Sequence, residues 1–440
     1  MGTYLFLRGN RNKKLFIDVA SELEKKGHEC FLIKFELGEL LFPSKNNSIF
    51  APSHLTEKEY DISDEEILKM QIYNVTFKKE ILNKETLPSE LKMYKQYMYF
   101  IDQFIEENNI DIICLFNGYH WIDQISKHIA KKRGLKVYHF EDGLFRPYTV
   151  TCDSNGINAE ASVPKDPSFY DSIEMNEERL EKYLFEPEDE RLKQVGKEKL
   201  MKVALVKAFS MIGNFFRIHP NFYAHITLWQ AIKYFFVKKY FSFRKDDAIQ
   251  LPEEYIFLPF QVARDTQILY NSKHIKTMPE LLDLVYDAIT LYNEKYTKKL
   301  KIVVKEHPED LSRNNYRALK KKYKNNKNVI FIKKFNIGKL ISNALAVITI
   351  NSTVGIEALT KGKRVITLGE ANYNIDGVVF HCDHPKNLQE VIETALNNSV
   401  NKLRIKKFLY YLRFTYQIEG TITNPNSITS KNIAERISTS

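Results

Sequence analysis

At 440 residues, with 44% hydrophobic and 13% aromatic side chains, the chain is too long for a single core and too apolar for disorder, so two globular domains are expected. The 65 basic and 55 acidic residues leave a net charge of +10, which points to an anionic partner: nucleic acid, an anionic membrane surface or an acidic sugar. No apolar run approaches the roughly 20 residues that span a bilayer, there is no signal-peptide pattern, and Cys30, Cys114, Cys152 and Cys382 have no paired spacing, so a cytoplasmic protein with reduced thiols is expected.

The run from Thr3 to Leu7 reads as a strand, Arg8 to Asn12 as a polar turn, Leu15 to Lys26 as an amphipathic helix closed by Gly27, and Cys30 to Phe35 as a second strand. The turn has one glycine and lacks the dinucleotide fingerprint, so this half reads as facing an acceptor. Residues 55–108 are polar with helical period, and Tyr94, Tyr97, Tyr99, Phe100 and Phe104 are expected to pack on the sheet. Asp111 to Phe116 is a strand, Trp121 to Lys132 its crossover helix, and Lys136 to Phe140 a further strand. That strand delivers Glu141, Asp142 and Gly143 into a predicted loop that runs on through Arg146, Asp153 and Gly156 to Asn158. Open parallel sheets bind ligands beyond the carboxyl ends of their strands, which is where this acidic loop falls.

From Pro164 to about Pro252 the pattern is mainly helical, apart from a possible strand at Lys202 to Val206. Within it, Lys233 to Lys245 interleaves aromatics with cations. Such a stretch either lies in the headgroup layer of an anionic membrane or presents a core-facing aromatic stripe and a solvated lysine face.

A second block alternates strands and helices: Tyr255 to Phe260, a helix from Met278 to Leu291, Lys301 to Lys305, Asn328 to Ile332, a helix from Ile337 to Asn343, then Ala344 to Ile350. Asn351, Ser352 and Thr353 supply helix-capping side chains, Gly362 closes that helix, and Val365 to Leu368 follows. This alternation predicts an α/β protein with a doubly wound sheet. The Ser/Thr/Asn-rich tail from about Thr421 has little to bury. The expected division is 1–165, a basic aromatic connecting segment 166–250, 251–395, and C-terminal helices with a polar tail 396–440.

Three strand exits in the second block offer groups for a phosphate and a nucleoside: Gln261 with Asp265, Lys305 with His307, and Asn351, Ser352 and Thr353 with Glu357. Lys305 and His307 alternate with Glu306, so both leave one face of the strand end, lysine as a point charge and histidine as a donor or proton source. Glu357, one turn into its helix, could accept from ribose hydroxyls. The first block offers Glu141, Asp142 and Asp153, the residue type that sugar transfer needs as base or nucleophile. Arg146 suits a sugar that carries a carboxylate.

Taken together, Glu141-Asp-Gly-Leu-Phe-Arg-Pro with Asp153-Ser-Asn-Gly-Ile-Asn158, Leu258-Pro-Phe-Gln-Val-Ala-Arg-Asp-Thr-Gln267, Lys305-Glu-His-Pro308 and Ile350-Asn-Ser-Thr-Val-Gly-Ile-Glu-Ala-Leu359 resemble the bacterial capsule polysaccharide biosynthesis and export family. Its members include retaining β-Kdo transferases that build a Kdo linker on phosphatidylglycerol. The resemblance implies a GT-B architecture, two Rossmann-like domains facing across a cleft, with CMP-Kdo on the C-terminal one. It implies Asp153 as nucleophile, Glu141 as its acidic partner near the acceptor, and Lys305, His307, Ser352 and Glu357 as CMP contacts. It implies no metal and no cofactor beyond the donor, a phosphatidylglycerol or Kdo-lipid acceptor, and peripheral attachment to the inner membrane beside other capsule assembly proteins, with no nucleic acid partner. Two other readings stay open. One is an inverting CMP-sialic acid-dependent sialyltransferase with Asp142 as base, since Glu141-Asp142-Gly143, His307-Pro308 and Ser352-Thr353 fit that pattern. The other is a non-catalytic partner in capsule assembly or export.

Overall fold

The computed structural model describes residues 1–440 except 10–11, 195–199, 222–227, 311–313, 315, 424 and 440; the middle of the predicted Arg8 to Asn12 turn therefore lies outside the described residues. In chain order the strands are β1 (Thr3–Leu7), β2 (Glu29–Lys34), β3 (Asn47–Phe50), β4 (Ile112–Phe116), β5 (Lys136–Asp142), β6 (Thr149–Asp153), β7 (Tyr255–Pro259), β8 (Lys301–Lys305), β9 (Val329–Ile332), β10 (Ala346–Thr349), β11 (Arg364–Thr367), β12 (Phe380–His381) and β13 (Ile418–Glu419). They form two sheets, one ordered β13-β6-β5-β4-β1-β2-β3 and the other β12-β11-β10-β7-β8-β9. The second is parallel throughout, and the first is parallel from β3 to β5. Both are covered by helices on two faces, which is why their central strands are near-continuous apolar runs. The protein is thus α/β with two doubly wound sheets.

The chain divides into two compact units: Met1–Ser162 with Asn176–His225 and Leu412–Ser440, and Val163–Met175 with Ile226–Tyr411. The consecutive division expected from sequence differs from this, because the chain returns to its first sheet at the end. Ile418 of β13 pairs antiparallel with Val150 of β6. The helix Ser427–Ser438 then buries Ile433, Ala434 and Ile437 in the core beneath the helix Lys13–Lys25. The tail expected to bury little is therefore part of the first unit's core. Its helix is hidden in sequence because several inward positions are Thr429 and Ser430, whose hydroxyls are satisfied locally by Asn426 and Ser427.

Two further expectations are corrected. The acidic loop contains β6, which turns back at Arg146-Pro147 and pairs antiparallel with β5, His139 opposite Asp153 and Glu141 opposite Thr151. The possible strand at Lys202 to Val206 lies inside a helix, Leu200–Phe215. In the helix Leu228–Phe243, Trp229, Phe236, Tyr240 and Phe243 share one face and are exposed, so they form no core-facing stripe; the side chains of 234, 235 and 242 lie outside the description. No described helix is long and apolar enough to cross a membrane.

Candidate active site

In the second unit β7 is central: the chain runs β7, β8, β9 to one side, then crosses back to add β10, β11 and β12 on the other. The switch point lies between β7 and β10, where neighbouring crossovers depart to opposite faces and leave a crevice at the strand ends. All eight predicted binding residues lie at the exits of β7, β8 and β10.

Two of them clasp the crevice shut from below. Gln261 is buried; its Nε2 donates to Asn351 Oδ1 at 3.0 Å and its Oε1 accepts from the Asn351 backbone N–H at 3.2 Å. Asn351 Nδ2 donates in turn to the carbonyls of Gln267, at 3.0 Å, and Glu370, at 3.2 Å. Both amides thus spend their hydrogen bonds on joining the exit of β10 to those of β7 and β11. Asp265 caps the helix Thr266–Asn271, accepting from Gln267 N–H at 3.0 Å. Of the three residues expected to cap the helix after β10, Ser352 alone does so, accepting from Val354 N–H at 3.2 Å. Asn351 turns inward, and Thr353 is exposed at the start of the helix Val354–Leu359 with no side-chain cap bond. Beneath this turn Tyr373 is buried and donates to the Ser352 carbonyl; the space it fills is left by Gly355.

Lys305 and His307 stand at the exit of β8, and Glu357 lies in the first turn of the helix Val354–Leu359. Lys305 is largely buried at the end of β8, and burial lowers its pKa against the opposing field of Asp246, Asp247, Glu306 and Glu357. Among the described residues it forms no ion pair, and its hydrogen bond to the Glu306 carbonyl is long, 3.5 Å. Glu306, by contrast, is buried on the other side and ion-paired with Lys320. His307 Nδ1 accepts the Glu309 N–H at 3.1 Å, which places the ring proton on Nε2. Burial lowers the His307 pKa, with Glu309 opposing and Lys305 reinforcing that shift, so the neutral Nε2–H donor dominates at neutral pH. The strand exit therefore presents a buried cation without a close counter-ion beside a fixed donor, an arrangement that suits a phosphate.

In the first unit the β5–β6 hairpin carries the carboxylates. Strand alternation puts His139, Glu141, Thr151 and Asp153 on one face, and Phe140, Asp142, Val150 and Cys152 on the other. Glu141 and Asp153 are diagonal neighbours, for which roughly 7–8 Å is usual. Asp142 belongs to the opposite side and does not join them. Asp153 is buried and accepts five hydrogen bonds: from Asn155 N–H at 2.8 Å and Gly156 N–H at 3.4 Å on Oδ1, and from Ser162 N–H at 2.7 Å, Ser162 Oγ at 2.8 Å and Tyr416 OH at 2.9 Å on Oδ2. Glu141 is less enclosed. Burial raises its pKa, while bonds from Asp142 N–H and Asn117 Nδ2 counter this. Arg146 is exposed, its Nε donating to the Gly143 carbonyl at 3.1 Å.

Three residues at this site escaped the sequence reading. His139 neighbours both Glu141 and Asp153 on the shared face, with Nδ1 3.3 Å from the Asp153 carbonyl oxygen and Nε2 buried without a hydrogen-bond partner among the described residues. Its spacing two residues before Glu141 was the available signal. Asn117 leaves the neighbouring strand end and was visible as a polar exit. Tyr416 arrives from the far end of the chain, so nothing local betrayed it.

Among curated proteins, the capsule polysaccharide export protein KpsS of Escherichia coli is 24% identical over 65% of this chain and 74% of its own length. Protein FixF of Sinorhizobium fredii is 30% identical over 74% of this chain and 64% of its own length. The capsule polysaccharide modification protein LipB of Neisseria meningitidis is 23% identical over 65% of this chain and 70% of its own. Among solved structures, the β-Kdo 2,7 transferase of Thermosulfurimonas dismutans KpsC aligns with 87% of this chain and 98% of its own at 17% identity and a TM-score of 0.38. A UDP-GlcNAc 2-epimerase of Methanocaldococcus jannaschii aligns over the full length of both chains at 14% identity and a TM-score of 0.32. The profile of the capsule polysaccharide biosynthesis protein family matches residues 110–417, which take in both the acidic hairpin and the strand exits of the second sheet, and the chain belongs to that family.

Proposed function

We propose that the chain is a glycosyltransferase of capsule polysaccharide biosynthesis that moves Kdo from CMP-Kdo to a lipid or Kdo-lipid acceptor with retention. The observation that carries this reading is the β8 exit, where Lys305 and the His307 Nε2–H stand ready for an anion at the switch point of a doubly wound sheet. In the proposed reaction Lys305 offsets charge on the departing phosphate, His307 donates to it, and Glu357 accepts from the ribose. Gln261, Asn351 and Ser352 hold the turn in shape. Asp153 attacks the anomeric carbon and CMP leaves; the acceptor hydroxyl then displaces Asp153 and gives its proton to Glu141, whose raised pKa suits a base. Five donors exceed the roughly four acceptor sites of a carboxylate, so attack requires Oδ2 to release one, and the others stabilise Asp153 as a leaving group in the second step. Arg146 meets the sugar carboxylate. The exposed aromatics of the helix Leu228–Phe243, interspersed with Lys233, Lys238 and Lys239, fit work at an anionic inner-membrane surface on the cytoplasmic side.

The test is to supply CMP-Kdo and, separately, CMP-sialic acid with a phosphatidylglycerol or Kdo-lipid acceptor, and to determine the product's anomeric configuration by NMR. A β-Kdo product, with a Kdo adduct on Asp153 trapped by mass spectrometry, is expected. An α-linked product, or release of CMP from CMP-sialic acid alone, would replace this reading.

A further inference from the structure

The helix Leu200–Phe215 in the first unit is amphipathic in the unusual sense. Its inward side is narrow: Val206 and Gly213 are buried against the short 3-10 segment Leu37–Leu41, where any side chain at Gly38 would collide with the Val206 carbonyl. At about 100° per residue, Met201, Leu205, Phe209, Met211, Ile212 and Phe215 fan over an outward arc of about 160° broken only by Ala204 and Ala208. They are exposed, Met201 to 73% and Phe215 to 79%. Lys202 and Lys207 stand at the two edges of the arc, next to Phe209 and Met211, and from Leu200 to Ile218 the chain has no acidic residue. A soluble surface rarely keeps so wide an apolar face in water.

We propose that this face docks into the headgroup layer of an anionic lipid bilayer, with the helix in the plane of the membrane and the edge lysines at phosphate level. Charge selects this occupant: cations border the apolar arc, acids are absent from it, and the chain carries a net charge of +10. The helix has 16 residues, too short to cross, so it lies on the surface. The proposal deepens the lipid-acceptor reading and names a surface separate from the helix Leu228–Phe243.

The experiment is co-sedimentation of the full chain with phosphatidylglycerol/phosphatidylcholine vesicles and with phosphatidylcholine vesicles, for the wild type, F209S/F215S, K202Q/K207Q and F236S/Y240S. Circular dichroism and thermal melting confirm that each variant is folded, and analytical ultracentrifugation follows self-association. Binding to the anionic vesicles weakened at least tenfold by F209S/F215S, and clearly by K202Q/K207Q, is expected. Wild-type-like binding by F209S/F215S overturns the proposal, as does a dimer that this variant dissolves, or a wild type that binds no vesicle. CMP release with a water-soluble acceptor, measured in parallel, separates the two readings: vesicle binding without transfer leaves the docking face standing, and transfer without vesicle binding removes the face alone.

Discussion

A carboxylate held by five donors does two jobs, and substitutions at Asp153 will report both. Asp153→Ala orphans buried donors and costs about 3 kcal/mol of stability besides any activity, whereas Tyr416→Phe removes one bond and costs about 1 kcal/mol. If Oδ2 must shed a donor to react, Tyr416→Phe keeps or raises turnover while lowering the unfolding midpoint; urea titration and steady-state kinetics together check this. His139 supplies a pH prediction. Burial, reinforced by Lys127, pushes its pKa down to about 4 from an ordinary 6.5. Below 6.5 the unfolded chain takes up a proton that the native imidazole refuses until about pH 4. The stability this residue contributes is therefore complete above pH 6.5 and lost as pH falls towards 4, by about 3 kcal/mol. His139→Gln should flatten that part of the stability profile relative to wild type. Asp142 shows where reading residues by proximity in sequence breaks down. It adjoins Glu141 in the chain, yet a strand sends neighbours to opposite faces, and only knowledge that β5 extends to residue 142 separates them.

Elements were legible where one signal dominated. β7, β8, β10 and β11 are β-branched or aromatic runs bounded by polar turns, and each lies within two residues of its predicted limits. β6 was missed, because the short run from Thr149 lies between an Arg-Pro turn and the Asp-Ser-Asn-Gly run that marks loops. The helix Leu228–Phe243 shows the converse: it was legible as helical, but which face is solvated cannot be taken from the rule that apolar faces turn inward. At the β10 turn, Gly355→Ala would bring a methyl to 2.6 Å from the Tyr373 hydroxyl oxygen. A cost of about 1–3 kcal/mol is expected from overpacking, together with weakened CMP binding by calorimetry, because Tyr373 holds the Ser352 carbonyl. Asp265→Ala should behave differently. It removes an N-cap worth about 1 kcal/mol and leaves CMP affinity unchanged, since its carboxylate is engaged with Gln267 N–H and Thr266 Oγ1.

At the scale of the whole molecule, alternating strands and helices were enough to predict a doubly wound sheet in the second block, because each βαβ step is local in sequence, while the expectation of two such domains came from the family resemblance. The discontinuity of the first unit was beyond reach, since β13 and the helix Ser427–Ser438 pair with partners hundreds of residues earlier. A chain ending at Tyr411 should retain the second unit, seen as a protease-resistant fragment, while its first unit becomes protease-sensitive with β6 as an open edge. The same return path sets an order on the ribosome. The second unit has its whole sequence available while the first still lacks residues 412–440, so the half that is made first is finished last. Until then the acidic hairpin waits without Tyr416, and Asp153 acquires its fifth donor only after the second unit has been made.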